Sequence, residues 1–328
     1  MKKIFTLLLL FFSFTMAQKA YSMQDLSQRE DIFTPAFQLV WNDFKNLVAT
    51  KEVKFVGNNP DVLKVLNNSK FSTDDIDENS YFKIVGLKSY DLKAKILREI
   101  YEKFGESSKI LENINWENKN KNEYILYALL KKDIEFQKEF DILDKMSFKK
   151  SKEKYKYFGF EKDARKFKNQ VKPLYYRNKN EYAISMSTTN GDSIILYRIS
   201  SNDNVDDLYV QLQKHLRKPL GLGDNDKLYV PEINISEQIE YKQLCNKKIK
   251  NSKMVISKAI DDIQFVLNNK GAQLRNEAVI EAVKMSMPIA GRGTVYDFSK
   301  PFVLYMVEKG KQQPYFAIKV KDARFLVK

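Results

Sequence analysis

One cysteine, Cys245, and one histidine, His215, stand among 328 residues. A single cysteine excludes an intramolecular disulfide, so burial alone must stabilise the fold. One cysteine and one histidine do not make a zinc cluster. His215 lies in the basic string 212–217, at a helix end, where an interaction with the C-terminal dipole is the ordinary role. No motif supports a Ser-His-Asp triad built on it. Phosphate-cradling GxxxxGK[ST] and GxGxxG loops are absent. Gly221 to Gly223 and Gly291 to Gly293 read as bends, and Asp74 to Glu78 lacks the spacing of a calcium loop. This inventory points away from an enzyme and implies no cofactor and no metal. After Phe14 no stretch is long and apolar enough to span a bilayer as a helix.

The one long apolar run is at the start. Met1-Lys2-Lys3 is followed by Ile4 to Phe14, then by small residues at Ala17, Ala20 and Ser22. That is the three-part pattern of a secretory signal peptide, with cleavage expected after Ser22 and after Ala17 as the alternative. No cysteine follows the run, so a lipid anchor is not expected. The expected organisation is a signal peptide over 1–22 and a single domain over 23–328, secreted or held in the periplasm or cell envelope, and monomeric. No repeat or low-complexity linker divides the chain.

Charge is strongly of one sign. The net charge is +14, and loss of Lys2, Lys3 and Lys19 with the leader leaves about +11. Between Lys145 and Lys179 there are thirteen Lys or Arg against three acids. Such a segment suits a solvated face, or a polyanion such as an acidic glycan. The candidate polyanion contacts are Lys149, Lys150, Lys152, Lys154, Lys156, Arg165, Lys166 and Lys168. No motif for specific nucleic-acid binding accompanies them.

Apolar spacing predicts helices over 35–50, 60–67, 88–103 and 205–216. Residues 111–122 are polar and read as a loop. Strands are predicted over 124–130, 175–176, 181–186, 193–199, 227–235, 259–267, 302–307 and 314–320, with a turn at Thr189-Asn190-Gly191-Asp192. Helices come first and strands follow, so the fold class is α+β rather than an alternating βαβ series.

An ordered series of segments carries a resemblance. Residues 266–271 (VLNNKG) are followed, about thirty residues on, by 298–309 (FSKPFVLYMVEK) and 314–320 (PYFAIKV). Upstream lie 229–241 (YVPEINISEQIEY), 187–212 (STTNGDSIILYRISSNDNVDDLYVQL) and 124–140, which contains Tyr127 and Phe136. In this order, over about 124–325, the chain resembles a serpin, of a divergent bacterial type. The family's central-strand asparagine falls on Tyr127, its tryptophan on Phe136, and its early Ser-Pro-Leu-Ser signature is absent. Residues 30–120 match only in being helical.

The resemblance implies a large mixed or antiparallel sheet system in the last two-thirds and an exposed reactive-centre-type loop over 272–297. It implies that an extracytoplasmic serine or cysteine protease cleaves this loop, which then enters the main sheet as a new strand. Spacing from Gly271 places the implied scissile bond at Met285-Ser286, with Lys284 one register away. As a strand, one face of the loop carries Ala272, Leu274, Asn276, Ala278, Ile280 and Ala282. Leu274 is bulky and Asn276 polar for an inward face. Residues 274–285 are also good helix formers. An inhibitor and a non-inhibitory binding protein of the same fold therefore both remain open.

Overall fold

Residues 124–130 are apolar at every position, which a strand with one wet face would not be. The computed structural model describes residues 32–33, 36–274 and 293–328, apart from Lys70, Asn113, Lys119, Asn120, Asn202, Asn204 and residues 217–219. The expected leader and residues 275–292 of the expected loop lie outside this range. In chain order the elements are β1 (Ile32–Phe33), α1 (Ala36–Leu47), α2 (Asp61–Asn68), β2 (Tyr81–Leu87), α3 (Tyr90–Phe104), α4 (Lys109–Glu112), β3 (Glu123–Leu130) and β4 (Lys132–Glu135). Then come β5 (Asp141–Ser147), β6 (Lys154–Phe160), β7 (Val171–Asn178), β8 (Glu181–Ser187), β9 (Ser193–Arg198) and α5 (Val205–His215). The chain continues through β10 (Lys227–Pro231), β11 (Ile233–Glu240), β12 (Val255–Asn268), β13 (Gly271–Leu274), β14 (Val295–Asp297), β15 (Phe302–Val307) and β16 (Pro314–Val320).

Among the described residues the strands form three sheets. The main sheet runs β2-β3-β12-β13-β4, with β11 on the far edge of β12. A second sheet has the order β1-β16-β15-β9-β8-β7, and a third the order β14-β10-β6-β5. β3 is covered on both faces. Its even positions, Leu126, Ala128 and Leu130, enter the main core. Its odd positions, Ile125, Tyr127 and Leu129, join a separate cluster with Ile96 and Ile100 of α3 and with Trp116. That double burial is why the segment reads as an unbroken apolar run.

α3 is set by its ends. The Ser89 hydroxyl accepts from the Leu92 amide at 3.1 Å, and Gly105, at φ 70°, takes the left-handed conformation that stops the helix. α1 buries Phe37, Val40, Trp41 and Phe44, the stripe that its spacing predicts, whereas Leu47 is exposed.

The predicted helices at 35–50, 60–67, 88–103 and 205–216 form within a few residues of those bounds. Three differences stand out. The first third is not only helical: β2 lies there and pairs antiparallel along the whole of β3. The predicted strand 227–235 is two strands in two sheets, β10 and β11, joined at Glu232. Pro231 has no amide to donate, and the Glu232 amide carries the β10–β6 pairing one step further, donating to Lys156 O at 2.9 Å, before the chain goes on to pair with β12. Finally, β5 ends within the basic segment and β6 lies inside it, with Lys154 and Lys156 alternating with the buried Tyr155 and Tyr157.

Phe140 sits in an aromatic cluster under the third sheet, 4.8 Å from the Phe136 ring and 4.9 Å from Phe167 by centroids. It is nearly fully buried. Phe140→Ala is expected to cost about 3–5 kcal/mol of stability, measured by urea unfolding. A loss below about 1 kcal/mol would contradict this packing.

Candidate functional site: the fork in the main sheet

Two strands of the main sheet change neighbours halfway along. At one end β3 and β12 pair directly and in parallel, with Ala128 opposite Asp261 and Leu126 opposite Ala259. At the other end β13 lies between β12 and β4, antiparallel to both. Ala272 is flanked there by Leu267 on one side and Ile134 on the other. Since β4 continues β3 after the single residue Lys131, the sheet is a fork with a short wedge seated in its open end.

The offset between the two outer strands is the same above and below the fork. Leu267 and Ile134 flank the wedge, and six residues down each strand Asp261 and Ala128 are direct partners. Extending the opening therefore needs the strands to move apart, without sliding. This regularity lasts down to Lys258 opposite Ile125, where a bulge in β12 shifts the register.

The turn into the wedge is held firmly. The Phe136 amide donates to Lys270 O at 2.7 Å and the Phe140 amide to Asn269 O at 3.0 Å. Only glycine fits at the start of the wedge, since a Cβ on Gly271 would lie 1.9 Å from Ile134 O. Ala272 is fully buried in the main core. Beside the fork, burial raises the Asp133 carboxyl, with Glu106 and Glu135 adding to the rise and Lys131 opposing it.

Of the loop residues singled out from the sequence, Gly271 and Ala272 are thus in the sheet, and Leu274 ends the wedge opposite Lys132. Asn276, Lys284, Met285 and Ser286 lie outside the described residues. In the basic region, Lys149, Lys150, Lys152 and Lys154 are exposed and form no ion pair among the described residues. The other candidates are engaged. Lys166 pairs with Asp163 at 3.0 Å, and Lys168 and Arg165 lie 2.6 Å and 3.6 Å from Asp224. Lys156 faces the buried Glu232.

The His215 ring stacks on Tyr175 at 4.6 Å, at the end of α5 as expected. Burial and Glu181 push the Tyr175 hydroxyl up to about 12. Burial likewise pushes the Cys245 thiol up to about 11, which leaves it protonated and a poor nucleophile at neutral pH.

No family model matches the chain. A stretch of 72 residues is 35% identical to alpha-1-antiproteinase of Mus caroli, covering 22% of this chain and 16% of that protein's length. Among solved structures, the native state of the thermophilic serpin tengpin matches with a TM-score of 0.56 and 11% identity, over 92% of this chain and 94% of that one. Mouse protein-Z dependent protease inhibitor matches with a TM-score of 0.52 and 12% identity, over 88% and 89%. Human thyroxine-binding globulin complexed with thyroxine gives 0.50 and 13%, over 88% and 91%. The chain has the serpin fold, at low sequence identity. The resemblance read from the order of its C-terminal segments holds at the level of the fold.

Gly271→Ala is expected to unseat the wedge and leave the rest of the chain folded. The amides of Lys132 to Glu135 should then lose protection against hydrogen exchange. Unchanged protection there would contradict the close approach at Ile134 O.

Proposed function

We propose that this chain is an exported serpin-type protease inhibitor that offers residues 272–297 as bait, with Met285-Ser286 as the scissile bond. The observation that carries the proposal is the unslipped fork. A strand continuing from the wedge in the same register would bring Ala278 between Ala128 and Asp261, and Ile280 between Leu126 and Ala259. These are couples that now face each other directly. One parallel seam would become two antiparallel ladders, which bond slightly better per residue. Cleavage of the bait would release the strand to do this, and the relaxation would drive a bound protease's distortion.

The partners in this reading are extracytoplasmic serine or cysteine proteases. Met285 suits a pocket that takes an unbranched apolar side chain, and Lys284 a pocket for a basic one. The leader at 1–22 and the absence of a membrane-crossing helix among the described residues are compatible with export. Proteins of this fold include one named as a protease inhibitor and one named as a thyroxine-binding globulin. The fold therefore serves inhibition and binding alike, and in this reading the chain performs no catalysis of its own.

The test is incubation with a panel of serine and cysteine proteases, followed by denaturing gels and mass mapping of the cut. A detergent-resistant complex of the two chains, with cleavage between Lys284 and Met287, is expected. Clean cleavage at that point with no complex from any protease would refute inhibition.

One observation favours a second reading, in which the fold binds a polyanion. Lys149, Lys150, Lys152 and Lys154 are exposed and form no ion pair among the described residues, at and beside the turn between β5 and β6. If they form a glycan site, replacing all four with alanine should weaken heparin binding and flatten its dependence on salt. Replacing Arg165, Lys166 and Lys168 should do less. Equal effects from the two sets would argue for diffuse attraction by net charge.

A further inference from the structure

Adjacent lysines leave the fork on opposite faces. Lys131 reaches outward, with its Nζ 2.8 Å from a Glu106 carboxylate oxygen and 3.3 Å from Phe104 O, at the end of α3. Lys132 reaches inward. Its Nζ lies 2.8 Å from Asp192 and 2.9 Å from Glu308, which sit where the hairpins β8–β9 and β15–β16 of the second sheet turn. The Lys132 and Asp192 side chains are only 8% and 3% exposed. Asp192 also accepts from the Tyr315 hydroxyl at 3.0 Å, and Glu308 from the Asp77 amide at 3.0 Å. Lys132 is the register partner of Leu274, the last described residue of the wedge. The buried cluster therefore stands at the point where the sheet divides.

Burying one ammonium with two carboxylates is expensive, and apolar side chains of similar size would serve stability as well or better. What the charges add is position. Short charge-assisted hydrogen bonds are directional. β12 meets the same second sheet through apolar side chains, among them the Phe265 ring on Phe316 with centroids 4.5 Å apart, and apolar contact of this kind is not directional. The two arms are held differently: β12 by its eight-pair ladder with β11, and β4, which pairs with β13 among the described strands, by this cluster.

We infer that the Lys132–Asp192–Glu308 cluster is the anchor that holds β4 away from β12 and keeps the seat of the wedge open, with the Lys131–Glu106 pair fixing the same bend from the outer face. These are positioning residues: Lys132 pairs with the wedge through its backbone while its side chain goes to the second sheet. The inference rests on reading the fork as the entry point of an inserting strand, yet its test needs no protease. Hydrogen exchange is measured on the uncleaved protein and on the variants Lys132→Met and Glu308→Gln. Amides of Lys132–Glu135 and Gly271–Leu274 should exchange about tenfold faster in Lys132→Met, and change in the same direction in Glu308→Gln. Those of Leu304, Tyr305 and Met306 in β15 should keep their rates. Unchanged exchange at the wedge, or equal acceleration in β15, would overturn the inference. Should inhibition fail in the parent protein while wedge exchange shifts as expected, the proposed function falls and the anchor stands.

Discussion

Direct parallel pairing between β3 and β12 is the contact on which the other parts of this molecule turn. Both strands lie deep in the main sheet, and β3 has its two faces covered by separate apolar clusters. Parallel ladders are the weaker kind, and this one ends at the fork, where β13 separates the same two strands. In the proposed function, a strand inserted along this seam would replace one parallel ladder by two antiparallel ones. Packing on both faces of β3 adds to what the ladder contributes.

The constraint propagates outward from the seam. Ile96 and Ile100 of α3 lie over the outer face of β3, so any widening must carry the helix with it or slide beneath it. On the inner face, Lys132 ties the upper arm to hairpin turns of the second sheet. The wedge itself is chosen for smallness where it is tightest: glycine at 271, because the neighbouring carbonyl leaves no room for a Cβ, and alanine at 272, because its site is closed core. Leu274 and Asn276 break that run of small residues. Continued insertion has to accommodate both, and a buried amide without a partner costs about 1–3 kcal/mol. In the proposed function, that penalty would weigh against insertion.

Much of this was legible in the residues, for identifiable reasons. Helices with a clear apolar face, such as Ala36–Leu47, announce themselves by spacing, and so does the turn 189–192 between two alternating strands. The order of the C-terminal segments carried the fold. What stayed hidden was tertiary. β2 carries a local strand signal in Tyr81, Phe82, Ile84 and Val85, but its place beside β3 shows only in the pairing. The divide at Glu232 is invisible in a continuous apolar run that feeds two sheets. Lys131 and Lys132 are two charges among many in a lysine-rich chain, and nothing local reveals that they point to opposite layers. The basic candidates sorted themselves only when Asp224, far away in sequence, proved to neutralise Lys168 and Arg165.

The most direct measurement is the melting temperature of the chain before and after a single cut between Lys284 and Met287, made with a protease that is then removed. Interposing a strand between β3 and β12 replaces one ladder by two. With roughly 2–4 °C expected per kcal/mol in a protein of this size, the cut chain should melt at least about 10 °C higher. An unchanged or lowered melting temperature after a clean cut would mean that the seam does not open, and would contradict the reading of the fork as an entry point.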